Sequence, residues 1–252
     1  MRFFLGLIYK TKEKTISIFE TINLVKNTKI YIVGSGKLAN AVLSSNLEFP
    51  EHEIIKWDAN QKFSENRSIV VHAGSGRQLE ECLIFCSKTN SIFIELSTGL
   101  KTESYSPDFP LVICPNTSIL LLKTLLMVKS FGSNFKNYDI SITESHQATK
   151  STEPGTAFSF ADSLHLDHKE IKSIRDPETQ VNEIGISEAY LNKHAYHKIV
   201  ITDKNDQVSI ETKVLGHDSY VNGISSILAT CMAHYLENKR YTILELIENN
   251  ML

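Results

Sequence analysis

The chain predicts an α/β domain with a parallel, doubly wound sheet, followed by an α+β domain with a mixed sheet. Three observations carry this. A short apolar strand runs into a glycine turn and a helix at "KIYIVGSGKLANAVLSS". Further strand and helix patterns alternate as far as about residue 116, which is the order of a parallel sheet with crossover helices. Beyond that point, longer alternating stretches read as strands that pair in a hairpin and pack on helices.

The opening strand covers Ile30 to Val33, and its turn has the pattern Gly34-x-Gly36-x-x-Ala39. In a nucleotide fold Gly34 permits the tight turn and Gly36 lets backbone approach a pyrophosphate. Ala39 lets helix and strand pack closely, and the helix N-terminus faces the phosphates. These are the parts of a Rossmann-type dinucleotide-binding domain, with Ser35, Lys37 and Leu38 completing the turn. A second strand, "EIIKWD", ends at Asp58, about twenty residues on, where an acidic side chain would bind a ribose 2′-hydroxyl. No arginine follows Asp58 directly, so the cofactor is NADH or NADPH with a modest preference for NADH.

"SIVVHAGSG" is a third strand entering a turn, and "RQLEECLIFCSK" is its helix. "SIFIELSTG" and "FPLVICPN" supply two more strands. Ligands bind beyond the strand carboxyl ends in such sheets, where Gly74, Ser97, Thr98, Gly99, Pro115 and Asn116 fall. The expected organisation is an N-terminal extension over 1–28, a dinucleotide domain over 29–116 and a substrate and oligomerisation domain over 117–217. A C-terminal helix within about 218–252 returns to the first domain. In the extension, Ile18, Phe19, Ile22 and Val25 fall at helical spacing.

In the second half, "TSILLLKTLLMVKSFG" reads as a strongly apolar helix stopped near Gly132, and "YDISITESH" as a strand. "GTAFSFADSLHLD" reads as a helix that begins near Thr156 and is capped by it or a neighbour. "HAYHKIVITDKNDQVSIETKVL" is a hairpin turning at "KNDQ", and "VNGISSILATCMAHYLEN" is a long helix. Between strand and helix lies "ESHQATKSTEPGTA". His146 can hold and release a proton near neutrality, and Lys150 adds a point charge. The helix start at Pro154-Gly155-Thr156 offers backbone N–H groups to an anion. Read without the rest of the chain, His146 and Lys150 are equally two exposed loop residues; the nucleotide fold before them favours the functional reading.

Composition excludes several classes. The 252 residues are 42% hydrophobic and 22% charged, with a formal net charge of −3, and no long Lys/Arg block suggests nucleic acid. No run approaches eighteen apolar residues, so no membrane span is expected. "MRFFLGLIYK" lacks the apolar length and small-residue site of a signal peptide. Cys82, Cys86, Cys114 and Cys231 read as buried free thiols, in keeping with a reducing, cytoplasmic compartment. "HLDH", with His165 and His168 in a helical pattern, reads as a polar face, and no metal is expected. Nothing suggests a serine or cysteine nucleophile.

From about Lys29 onward the chain resembles the dihydrodipicolinate reductase family, on motifs that stand in family order. "GSGKLA" lies at the family's glycine turn, and "ELSTGL" resembles its G-T-T-G segment. "CPNTSI" resembles A-P-N-x-S, and "ESHQATKSTEPGTA" resembles E-x-H-H-x-x-K-x-D-A-P-S-G-T-A. The resemblance implies that His146 donates a proton, that Lys150 assists protonation and binds substrate, and that Gly155 and Thr156 cradle a substrate carboxylate. It also implies a homotetramer joined through the second domain's sheet. It places His197 at a structural histidine. Gln147 takes the place of the family's second histidine and is expected to bind substrate with Gly155 and Thr156, and Thr152 replaces an aspartate. "TEPGT" is one residue short and lacks a serine, "VVHAGSG" stands for D-F-T-x-P, and "KVLGHD" for H-R-A-x-S-R. The proton-transfer pair is kept, while several carboxylate-binding partners are not.

The expected activity is thus hydride transfer from a nicotinamide to a small, carboxylate-bearing, cyclic unsaturated imino acid, in lysine or diaminopimelate synthesis or a related pathway. A second reading, a non-catalytic dinucleotide-binding sensor or assembly protein, predicts cofactor binding without turnover. The retained His146, Lys150 and Thr156 weigh against it.

Overall fold

The computed structural model describes residues 28–45, 47, 49–59, 66–150 and 152–252. The helical spacing at Ile18 to Val25 lies outside them. Six short parallel strands make the first sheet: β1 (Lys29–Val33), β2 (Glu53–Lys56), β3 (Ile69–His72), β4 (Ile92–Glu95), β5 (Leu111–Ile113) and, from the far end of the chain, β10 (Arg240–Thr242). Their spatial order is β10-β5-β4-β3-β1-β2. The chain moves one way from β1 to β2 and the other way from β1 to β3, so the glycine turn after β1 sits at the switch point. All six carboxyl ends share one edge.

Alternation along β1 explains why both faces need cover. Ile30 and Ile32 join the core beneath α1 (Lys37–Ser44), while Tyr31 and Val33 join the one beneath α2 (Leu79–Thr89). Tyr31, Trp57 and Phe85 meet edge to face at 5.5–5.7 Å in the second of these cores. Gly34 is required by geometry: its φ is +127°, and a Cβ there would lie 2.5 Å from the Ala73 carbonyl oxygen. Strand β2 ends at Lys56, two residues before Asp58, and the Trp57 N–H adds a last ladder bond to the Ile32 carbonyl at 2.9 Å.

The second sheet has the order β7-β6-β8-β9, with β6 (Asp139–His146), β7 (Lys172–Ile174), β8 (His194–Asp203) and β9 (Asp206–Leu215). Strands β6, β8 and β9 are antiparallel neighbours, and β7 runs parallel to β6. The hairpin turns through Lys204 and Asn205, with Lys204 at φ +51°. Helices α3 (Ile119–Phe131) and α4 (Gly155–Leu164) cover one face. Helix α3 is apolar nearly all round because it serves two cores. Leu122 packs in the first domain, and Leu121, Leu125 and Val128 pack in the second.

Helix α4 begins at Gly155, and no side chain caps it; Thr156 lies inside the first turn. It ends at Leu164, with His165 in a left-handed cap, so His165 and His168 do not share a helical face. His168 instead stacks on Phe158 at 4.1 Å and bonds Asp162 at 2.7 Å. A short helix, α5 (Pro177–Asn182), follows β7.

The long helix α6 (Asp218–Ala233) then returns to the first sheet, where Val221, Ile224, Ile227, Leu228 and Cys231 enter its core. After it come β10, paired with β5, and α7 (Ile243–Glu248), whose cap is a reciprocal pair between Thr242 and Glu245. The sequence pattern suggested only a helix here; "RYT" is too short and too polar to announce a strand.

Candidate functional site

A cleft of about 720 Å³ separates the carboxyl edge of the first sheet from the second domain. On the sheet side it is lined by Thr98 after β4 and by Pro115 and Asn116 after β5. On the other side stand His146, Lys150, Gly155 and Thr156. The first turn of α4 faces this space, and a Cβ added at Gly155 would meet nothing within 4 Å. Uncapped N–H groups at a helix start, open to a cleft, suit an anion. Residues Leu121, Leu122 and Leu125 of α3 give the cleft an apolar side, and Thr242, Ile243 and Leu244 complete it.

His146 is the last residue of β6, and Glu144 projects from the same strand face two positions earlier. The Glu144 carboxylate has no exposed surface. One oxygen lies 2.7 Å from His146 Nδ1 and the other accepts from Arg175 Nη2 at 2.7 Å. Burial alone would raise this carboxyl. Hydrogen bonds from His146, Arg175 and Ser173, with the Arg175 charge, overcome it and bring the pKa down to about 2. Arg175 follows β7, and the parallel pairing of β7 with β6 carries it to Glu144.

Behind His146, the His197 ring lies 5.8 Å away and edge-on, itself packed on Phe160. Burial, with the neighbouring His146, pushes His197 down to about 4. Lys150 donates to Thr152 Oγ1 at 2.8 Å, and among the described residues it makes no ion pair. Burial and the Arg175 charge lower its pKa, with Glu144 opposing. Gln147 bonds through its backbone to Lys150 N and does not line the cleft.

The remaining sequence-predicted residues lie along the same sheet edge but outside this cleft. Ser35, Gly36 and Lys37 are exposed at the start of α1, and Leu38 is half-buried against the core. A Cβ at Gly36 would meet nothing within 4 Å, which leaves the room a phosphate needs. Asp58 is exposed beyond β2. Ser75 N donates to Ser97 Oγ at 3.1 Å, tying the loops after β3 and β4, and Gly99 holds φ +70° while donating to Glu103 at 2.7 Å. Gly74 is confined, since a Cβ there would lie 2.8 Å from His72 Nε2.

Sequence reasoning missed three groups. Arg175 has no local signature, and Thr242 to Leu244 lie where β10 passes into α7, a junction that the pattern did not reveal. The third is a buried pair under the loops, His72 and Glu95, with neither side chain exposed. His72 Nδ1 lies 2.8 Å from Glu95 Oε1, and Nε2 donates to the Arg77 carbonyl at 3.0 Å. Glu95 Oε1 also accepts from Ser97 N at 2.8 Å. Their places at the ends of the apolar runs "IVVH" and "IFIE" could have flagged His72 and Glu95 as polar residues inside strands, but only register pairs them.

Together the switch-point glycine turn, the parallel sheet and a facing domain with an open helix start and a histidine define a two-domain protein built on a dinucleotide fold. Residues 120–247, a little over half the chain, match the family model described as dihydrodipicolinate reductase, C-terminus, and the chain belongs to that family. It is 32% identical over 105 residues to a probable 4-hydroxy-tetrahydrodipicolinate reductase 1, chloroplastic, of Oryza sativa subsp. japonica, covering 39% of this chain and 31% of that one. It thus spans about a third of the plant relatives it matches. With the 4-hydroxy-tetrahydrodipicolinate reductase of Rickettsia canadensis (strain McKiel) it shares 23% identity over 207 residues, 75% of this chain and 86% of that one. The fold is shared with a dipicolinate-bound dihydrodipicolinate reductase from Paenisporosarcina sp. TG-14, at a TM-score of 0.61 and 14% identity, over 88% of this chain and 99% of that one. Among the described residues, no helix is long and apolar enough to cross a membrane.

Proposed function

We propose that the chain is an NAD(P)H-dependent reductase acting on a cyclic unsaturated imino acid that carries a carboxylate, in lysine or diaminopimelate synthesis or a related pathway. The observation that carries this reading is the cleft itself. It sets His146, Lys150 and the open start of α4 opposite Thr98 and Asn116 at the carboxyl edge of the sheet.

The residues present fit a dinucleotide. Gly36 leaves open space, Gly34 makes the switch-point turn, and the Ser75–Ser97 bond holds two floor loops together. When bound, reduced nicotinamide supplies a hydride. The first turn of α4 and Lys150 hold the substrate carboxylate, His146 delivers the proton, and the apolar side of α3 keeps water from the reacting atoms. An exposed Asp58 beyond β2 supports a ribose 2′-hydroxyl over a 2′-phosphate, hence NADH over NADPH. Self-assembly and a cytoplasmic setting belong to the same proposal. The exposed residues of the edge strand β9 and the four buried free thiols support them.

The test is purified protein with 4-hydroxy-tetrahydrodipicolinate and either NADH or NADPH, following loss of the reduced cofactor's absorbance. Turnover that falls on the order of 10²-fold or more in His146→Ala supports the reading. Binding of a dinucleotide with no oxidation of either form would remove 4-hydroxy-tetrahydrodipicolinate as the substrate and favour the sensor.

A further inference from the structure

Assigning a proton to His146 leaves two questions: which ring nitrogen serves the cleft, and what holds the ring. The carboxylate beside it answers both. Glu144 is fully buried, yet its bonds from His146, Arg175 and Ser173 bring it down to about 2. It is therefore ionised at neutral pH, and an ionised carboxylate only accepts hydrogen bonds. Nδ1 of His146, 2.7 Å away, must carry a hydrogen and donate it. The nitrogen left for substrate is Nε2.

Arg175 is what keeps this arrangement from relaxing. Its Nη2 holds the second carboxylate oxygen at 2.7 Å, and its Nη1 donates to the Ile174 carbonyl at 2.9 Å. With a guanidinium on one oxygen and an imidazole on the other, Glu144 has no tendency to take the His146 proton itself. The other titratable groups around the ring are His197 and His194 from β8 and Lys150 from the loop before α4. Burial pushes both histidines toward their neutral forms, so neither adds a competing positive charge beside Glu144.

We infer that Glu144, clamped by Arg175, is a positioning residue that fixes the His146 tautomer and so places the transferable proton on Nε2, facing the cleft. This rests on the reductase reading for its catalytic consequence. In the reaction the Nε2–H bond breaks as the proton passes to the substrate atom that does not receive hydride. The dinucleotide that gave the hydride is left oxidised. The ring is left neutral, with Nδ1–H still bonded to Glu144, and solvent restores the Nε2 proton.

The first test needs neither substrate nor variant: nitrogen-15 NMR of the histidines in the unmodified protein. The neutral His146 ring should carry its hydrogen on Nδ1, and a spectrum showing Nε2–H as the main neutral form would overturn the inference. The second compares Glu144→Gln with Glu144→Asp. The glutamine variant should show mixed tautomers and a kcat lowered on the order of 10²- to 10⁴-fold, with KM changed about threefold or less. The aspartate variant should recover part of kcat. A loss confined to KM would overturn the positioning role. Should the unmodified protein show the expected tautomer but no turnover, the reductase reading fails and the tautomer assignment stands.

Discussion

Gly223 gives a clear test of how the C-terminal helix is seated beside the cleft. It lies in the middle of α6, where helix propensity alone favours alanine over glycine by about 1 kcal/mol. The structure predicts the opposite sign. A Cβ at this position would stand 1.6 Å from the Thr117 carbonyl oxygen and 2.7 Å from its carbon, whereas ordinary contact begins near 3.4 Å. Both partners are backbone or helix, so neither can swing aside. Separating them moves α6 away from the loop after β5 and strains the Thr117 Oγ1 bond to the Tyr220 carbonyl, now 2.9 Å. Overpacking of this kind costs about 3 kcal/mol and a lost hydrogen bond about 1 kcal/mol, against the propensity gain of about 1 kcal/mol. The expected net loss is about 3 kcal/mol, which lowers a urea midpoint by about 1 M. Because Pro115 and Asn116 line the cleft just before Thr117, KM should rise as well. An unchanged or raised midpoint in Gly223→Ala would show that α6 does not pack against this loop.

Two further outcomes follow from the buried charges. His197 is held below its ordinary value in the folded chain, so its neutral form is favoured by folding. That contribution is complete above pH 6.5 and is lost as pH falls through about 4. The drop from 6.5 to about 4 corresponds to about 3 kcal/mol. Urea midpoints should fall across that window and flatten in His197→Phe, and a flat profile in the unmodified protein would contradict the burial. Glu144 acts with the same sign at lower pH, from its ordinary 4.5 to about 2. For the pair under the sheet edge, Glu95→Ala leaves buried His72 Nδ1 and the Ser97 N–H without their partner, at about 1–3 kcal/mol. Thermal unfolding of this variant against a His72→Phe, Glu95→Leu double variant should show the double variant as the more stable. A single variant as stable as the parent would remove the pair from the account.

Much of the fold was legible because local rules govern it. Short apolar runs mark β1, β3 and β4, since a strand covered on both faces must be apolar at successive positions, and alternation marks part of β8. The glycine turn was readable for the same reason: Gly34 needs a φ that other residues avoid. His146, Lys150, Gly155 and Thr156 were readable as a set because they lie within eleven consecutive residues, 146–156. Their neighbours were not. Arg175 reaches Glu144 only through the β6–β7 pairing, and His72 meets Glu95 only through the β3–β4 register. Strand β10 escaped because three residues carry no period and its pairing with β5 joins residues about half the chain apart. The start of α4 was misplaced by one residue, and its expected cap is absent, since the helix opens onto the cleft instead.

By itself, then, the sequence determined the two kinds of sheet, the switch-point turn and the residue types of the proposed proton-transfer and anion site. These depend on chain-local sterics and on which faces must be apolar. Tertiary structure alone decided which cations and carboxylates meet, that His146 Nδ1 lies against Glu144, and that Thr242 to Leu244 help to close the cleft. Those contacts are set by strand order and register, which bring together residues far apart in the chain.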